Sequence, residues 1–389
     1  DISGTIALGN LNQGIHIESS TTPLVTLNII SANAQNAVDI YNSSNATITF
    51  NKIGTDVTGN VALGNLQWGL VIENGSNNPI VTNNVISANG GIGLYTNNAA
   101  NPIIKSNCIG LGADKITSLG NGTHGIELDF SSNAIIGGLL LSERNYIAAN
   151  GQRGINANSS SSPTIQGNYV GTDINGILAK GNGSDGIYLS NCSHGIIGGS
   201  VINARNISVD SKNGSGILIT NTSPHPIVKS NFVGVGKDGV TSLGNWAHGI
   251  SFYGAGIDTA IVGGSLYIER NVCSGNGKSG TGDGLRFETG PSAHHTILGN
   301  YCGVDSTGTI GIPNAWAGIS LNEVDSSIIG GTGLYQANIA SSNMHEGIYM
   351  RNALNNVIIN NIIGTDLTKT KNLGNGYVGV HMNAGNSFD

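Results

Sequence analysis

The stretch Asn51–Asn65, NKIGTDVTGNVALGN, returns as NCIGLGADKITSLGN from Asn107, NYVGTDINGILAKGN from Asn168 and NFVGVGKDGVTSLGN from Asn231. NYCGVDSTGTIGIPN from Asn300 and NIIGTDLTKTKNLGN from Asn361 continue the series. The chain opens inside a further copy, DISGTIALGN, with Asp1 over Asp56 and Gly4 over Gly59. A period of roughly sixty residues marks a repeat architecture, so the repeat unit has to be understood before any site.

Each long repeat divides into two halves that share one rhythm of three beats. The first beat is Gly-apolar-x-apolar, as at Gly69-Leu70, Gly125-Ile126, Gly186-Ile187 and Gly249-Ile250, with Gly91-Ile92 read as the copy between the first two. The second is a short apolar pair such as Ile80-Val81 or Ile103-Ile104, running into an asparagine. The third follows that asparagine, as Ile53-Gly54-Thr55-Asp56 in one half and Ile86-Ser87-Ala88-Asn89 in the other. Apolar and polar residues alternating over four or five positions give short strands. Three such strands per half predict one coil of a parallel β-helix, and counting first beats predicts about thirteen coils in a rod roughly 60 Å long. Ile15 and Ile17, Leu70 and Ile72, Ile126 and Leu128, and Ile250 and Phe252 are then expected to point inward.

Composition agrees. Sixty Gly and only 10% charged residues disfavour helices and suit tight turns, while 38% apolar residues are enough for a core. The net charge of −7 carries no electrostatic footprint for nucleic acid, and no apolar run reaches transmembrane length. Asn-x-Ser/Thr sequons such as Asn42 and Asn221 are weak evidence for secretion in a chain this rich in Asn, Ser and Thr. Four cysteines lack metal-type spacing; Cys273 and Cys302 fall in successive coils at one register, where they are expected to stack inward, with a disulfide as the alternative.

The asparagines before the third beat fall at one register twelve times, from Asn28, Asn51, Asn84 and Asn107 to Asn338 and Asn361. Asn tolerates left-handed backbone, and its amide can bond the equivalent residue of the next coil. Such a ladder resembles the turn ladders of pectate-lyase-like right-handed parallel β-helices, and the IGTD…TG…LGN wording is similar to repeats of large bacterial surface and secreted proteins. The resemblance covers the whole chain. It implies an all-β fold and one continuous domain over residues 1–389, read as a segment of a longer repeat protein. It does not imply one activity, because that superfold hosts lyases, hydrolases, epimerases and adhesins.

Three sets of residues are candidates for chemistry. Asp56, Asp173, Asp305 and Asp366 of the recurring motif are candidate calcium ligands. Arms on every second coil would lie about 10 Å apart, too far to share an ion, so an Asx turn is the plainer reading and no cofactor is expected. The second set is the outer face of the first beat, where Tyr95, Arg153, Tyr188, Tyr253, Arg286 and Tyr349 offer rings and guanidiniums to an extended polysaccharide. On the same face Glu127 and Asp129, two residues apart, suit the carboxylate spacing of glycoside hydrolysis, with His124 beside them and Asp283 in a second group with His248, Arg286 and Glu288. The plainer alternative is a solvated strand face whose charges pair across coils. Third, His294 and His295 are adjacent, cannot chelate one metal together, and are expected in a surface turn.

Uniform repeats and thin catalytic chemistry favour an extracellular or cell-surface structural or adhesin-type rod. Its expected partners are a glycan, or other copies packed end to end or laterally. The competing class is an extracellular polysaccharide lyase, epimerase or glycoside hydrolase, in which long walls should flank a cleft with convergent acids near Glu127 or Asp283.

Overall fold

The computed structural model describes residues 5–290 and 294–383; Asp1 and Gly4 of the opening repeat copy lie outside them. Three parallel sheets of 13, 12 and 12 strands run along the molecule. Each turn of chain adds one strand to each sheet, so the described residues form the expected single β-helix, with thirteen coils. First-sheet strands are four residues long, as in Ile126–Asp129. Third-sheet strands are two residues long, as in Cys108–Ile109. Coils are numbered here by their first-sheet strand, so coil 5 holds Ile126–Asp129, coil 8 Ile217–Thr220 and coil 10 Leu285–Glu288.

The inward set is as expected. Leu70, Ile72, Ile126, Leu128, Ile250 and Phe252 are fully buried. Ile15 and Ile17, in coil 1, are partly exposed but pack against the same core. Burying each such side chain contributes about 1.5–3 kcal/mol, so the stack of coils carries the stability. Phe252 and Phe287 stack at 4.6 Å with planes 7° apart.

The asparagine ladder runs unbroken from Asn28 to Asn361. In a typical step Asn107 donates its backbone N–H and its side-chain amide to Asn145 Oδ1, at 2.9 and 3.1 Å. The physical reason differs from the expected one in a detail. Left-handed backbone falls on the residue before the ladder asparagine, such as Phe50 (φ 55°), Asn83 (58°) and Ser106 (61°). A second ladder, not foreseen, stands at the corner after the arms. It links Asn10, Asn33, Asn65, Asn89, Asn121, Asn150 and Asn182, and resumes from Asn245 through Asn276, Asn314 and Asn343 to Asn375. Between the two runs Ser211 takes the asparagine's place, and its backbone N–H donates to Asn245 Oδ1.

The recurring motif forms a hairpin arm, closed by isolated antiparallel bridges such as Thr55 to Ala62 and Thr172 to Ala179. Gly54 enters the arm at φ 84°, where an added Cβ would sit 2.0 Å from Ser87 O. Asp56 Oδ1 accepts from the backbone of Asn60 and Val61 at 3.1 Å each and from the Thr58 hydroxyl at 2.8 Å. The turn is thus capped two residues on, at Thr58, as an Asx-type turn asks, and again four and five residues on. Where Gly112 and Gly236 replace the aspartate, Asp114 and Asp238 cap their own turns two and three residues on. Burial opposes ionisation of Asp56, but the bonds from Thr58, Val61 and Asn60 outweigh it and hold the carboxyl below its usual range. Nor are successive arms 10 Å apart. Ala113 N donates to Gly59 O at 2.9 Å and Lys237 N to Gly176 O at 2.7 Å, because each arm reaches past the armless coil to the next. The arms cover the outer face of the third sheet, where Tyr169, Phe232, Val235 and Tyr301 form a second apolar cluster.

Cys273 and Cys302 face each other in register as buried free thiols, so the inward stacking holds and the disulfide alternative does not. His294 is exposed in a left-handed turn. His295, expected beside it at the surface, is instead buried: Nδ1 accepts the Ala260 amide at 3.1 Å and Nε2 meets Thr289 Oγ1 at 3.0 Å. It fills core space beside Phe287, and burial pushes its pKa down to about 3.

Candidate functional site

Four-residue strands present two outward columns on the first sheet. The inner column reads Tyr95, Glu127, Asn156, Tyr188, Leu218, Ser251 and Arg286 from coil 4 to coil 10. This corrects the reading of Gly91-Ile92 as a first beat: the strand is Leu94–Asn97, and Gly93 precedes it. A two-residue shift keeps the same face outward, which hid the error, but it moves Tyr95 from the Asp129 column to the Glu127 column.

The first group of predicted residues comes together on coils 4 to 7. Tyr95 donates its hydroxyl to Asp129 Oδ2 at 3.2 Å, and Asn158 donates to Asp129 Oδ1 at 3.0 Å. Asn156 donates to Glu127 Oε1 at 2.9 Å, while His124 Nε2 lies 3.9 Å from Oε2. Arg153 lies over the Tyr188 ring at 3.5 Å and donates to Asp185 Oδ2 at 3.1 Å and Asn156 Oδ1 at 3.1 Å. Its backbone N–H donates to His124 Nδ1 at 3.2 Å. Burial, helped by Asp129, pushes Glu127 up to about 7. Burial and Arg153 push His124 down to about 4. The group thus holds a carboxyl that changes charge near neutrality beside an imidazole that stays neutral.

The second group lines a cleft of about 610 Å³ on coils 7 to 11. Arg286 is its centre, donating to Glu288 Oε2 at 2.8 Å and to Asp283 Oδ2 at 3.4 Å. Asp283 is 1% exposed; its Oδ1 accepts the Ala317 amide at 3.0 Å, and its own N–H donates to His248 Nδ1 at 3.0 Å. Tyr253 stands 56% exposed on the rim. The opposite side is Trp316, stacked on His345 at 3.8 Å, and residues 281 and 282 of a loop between Asn276 and Gly284. Asp185 belongs to both groups, so one polar track runs from Tyr95 to Arg286, roughly 29 Å over six coil steps. Tyr349 falls beyond it: two coils past Arg286, it meets the His381 ring at 5.3 Å.

Several residues of the site were missed. Ser251 and Trp316 are cleft residues. Lys278 lies in the wall loop and reaches across coils to Asp210 Oδ1 at 2.9 Å, where Lys212 also pairs at 2.6 Å. Asp210 Oδ2 in turn accepts the Gly181 amide at 2.9 Å, in the coil where the second ladder is broken. Two signals were legible. Asn276 to Gly284 has four more residues than Asn150 to Gly154, and Ser211 replaces a ladder asparagine.

Among the described residues no group of three or more His, Cys, Asp or Glu side chains is placed to hold a metal. No helix is long and apolar enough to cross a membrane.

Residues 13–184 match the family of right handed beta helix regions. The chain has the right-handed parallel β-helix fold. No curated protein matches it. Among solved structures, it is similar to the periplasmic alginate epimerase AlgG at 12% identity and a TM-score of 0.35, covering 82% of this chain and 76% of that one. It is similar to the A-module of the mannuronan C-5 epimerase AlgE4 of Azotobacter vinelandii at 11% identity and a TM-score of 0.27, covering 87% and 90%. The Streptococcus pneumoniae surface protein and adhesin PfbA matches at 13% identity and a TM-score of 0.34, covering 94% and 91%. Likenesses this distant carry no argument about function.

Proposed function

We propose that this β-helix is an extracellular or cell-surface rod that binds an extended glycan along its first sheet. The observation that carries the reading is the cleft around Arg286. Sugar recognition asks for exposed rings to stack on and fixed polar groups to bond hydroxyls. Tyr253 and Trp316 supply the rings, and Ser251, Arg286 and Glu288 supply the polar groups. Arg153, Tyr188 and Tyr95 extend the same track toward coil 4. Binding, rather than turnover, fits the carboxylates best, since Asp283 is enclosed and Asp129 is bonded by Tyr95 and Asn158. A glycan array probed with the protein and with Trp316→Ala and Tyr253→Ala tests this; the expected result is selective binding lost in both variants. Uniform silence on uronate and neutral glycans alike contradicts it.

A second reading, a polysaccharide lyase, epimerase or glycoside hydrolase, is favoured by one observation: Glu127 and Asp129 stand on one outward strand face with His124 3.9 Å from Glu127, whose carboxyl burial pushes up to about 7. An acid with that pKa can give and take protons at neutral pH. Cleavage or epimerisation of uronate or neutral polysaccharides, lost in Glu127→Ala or Asp283→Ala, would establish it over the binding reading.

A further inference from the structure

Four coils carry a nine-residue corner between the second and third sheets: GGLLLSERN (137–145), GGSVINARN (198–206), GGSLYIERN (263–271) and GGTGLYQAN (330–338). With the arms they wall a groove along the outside of the third sheet, away from the first-sheet cleft. Three of the corners place an arginine just before the ladder asparagine. Arg144 donates Nε to Gly167 O at 2.8 Å and lies over the Tyr169 ring at 3.8 Å. Arg205 donates Nε to Ser230 O at 2.9 Å and lies over the Phe232 ring at 3.9 Å.

Between the first two corners is a hollow of about 290 Å³, lined by Arg144, Arg205 and Lys237 with Leu141, Tyr169 and Ile202. Among the described residues none of the three cations has a carboxylate partner. Glu143, beside Arg144, is turned to Lys105 at 2.9 Å and to the Leu140 amide at 3.1 Å. At the second corner Ala204 stands where the first and third have Glu143 and Glu269. Asp173, on the arm beside Tyr169, is buried and spends its carboxylate on Asn175, Ile177 and Leu178. Burial together with the neighbouring Arg270 pushes Arg205 down to about 10.

The molecule contains its own comparison. The equivalent hollow between the third and fourth corners is about 230 Å³ and has Ala337 for Arg205 and Leu367 for Lys237. Its remaining arginine, Arg270, is spent on Tyr267 O at 2.9 Å and Ser306 O at 3.0 Å. One architecture thus appears once with three cations that lack a carboxylate partner and once with a single arginine.

We propose that the hollow formed by Arg144, Arg205 and Lys237 is a binding site for an oxyanion group, a carboxylate or sulfate. Planar guanidiniums take two oxygens of such a group, the lysine adds a mobile charge, and the apolar floor raises the strength of both by excluding water. The group's source is either a free anion or an acidic saccharide.

The test is calorimetric titration at low ionic strength with inorganic sulfate, trigalacturonate and neutral galactotriose. Sulfate or trigalacturonate is expected to bind one per chain, weakening as salt is raised, and galactotriose to give no signal at this site. Sulfate binding alone assigns a free anion; stronger binding of trigalacturonate assigns the saccharide. Lys237→Glu, at an exposed position, and Arg205→Lys, which keeps the charge but loses the fork, should each weaken binding at least tenfold. Leu367→Ala in the sister hollow should leave it unchanged. Failure of both anions to bind, or binding that survives Lys237→Glu and Arg205→Lys, overturns the proposal. A saccharide signal lost in Trp316→Ala but kept in Lys237→Glu belongs to the first-sheet cleft and overturns it equally.

Discussion

Glu127 and His124 touch the same small volume and respond to pH in opposite senses. Glu127 is raised from 4.5 to about 7, so the folded state holds its proton more tightly than the unfolded chain. The stability this gives is full below 4.5 and is lost as pH rises through 7. His124 is lowered from 6.5 to about 4, so its contribution is full above 6.5 and is lost as pH falls through 4. The two slopes oppose each other between 4.5 and 6.5, and a wild-type titration hides both. Glu127→Gln separates them: it keeps an acceptor for Asn156 and removes the buried charge. Urea unfolding should find it more stable than wild type by about 1–3 kcal/mol at pH 8 and equal to it at pH 4. Equal loss at both pH values would show a packing role instead. Asn145 offers a second test at this scale. Its amide serves Ile104 O at 2.8 Å and the next rung, Asn168, at 2.9 Å, and accepts from Asn107. Asn145→Ala strands these buried groups and should cost about 3 kcal/mol in the same assay.

Among the elements, the coils were legible and their departures were not. Gly-apolar-x-apolar recurs because each coil repeats one inward pattern, so register and core follow from period alone. Gly91-Ile92 misled because Ile92 and Leu94 are both apolar and both follow a glycine; which glycine starts the strand is decided by stacking on Gly125 and Ile126, not by local pattern. The second ladder went unseen because only alternate rungs, such as Asn65 and Asn121, close the arm motif, while the others, such as Asn89 and Asn150, end the third beat of armless coils, so the two sets do not share one local pattern. The cleft wall was hidden for another reason: it is one loop in one coil, and repeat reasoning discards what occurs once. Lys278 anchors that loop to Asp210, itself held below its usual carboxylate range against burial by Lys212 and Lys278. Lys278→Met should speed amide exchange across residues 277–282 and weaken glycan binding about tenfold; unchanged exchange would show that the ion pair does not hold the wall. The arms make the opposite prediction. Their aspartates are satisfied by backbone amides, so a chelator should leave the melting temperature where it was. A fall of many degrees would restore calcium to Asp56 and its equivalents.

The whole molecule separates what repeats from what varies. Core, ladders and arms recur with each coil or each second coil and account for a rigid rod. The polar track, the cleft and the cationic hollow each occur once, where repeats are broken by insertion or substitution. Glycan binding in the first-sheet cleft is the claim on which the functional account turns. Its most direct measurement is a calorimetric titration of the best array oligosaccharide into the wild-type protein and into Trp316→Ala, which alters the cleft rim without touching core or ladder. The account predicts one site per chain, with affinity falling at least tenfold in the variant. Equal affinity in the two proteins would contradict it.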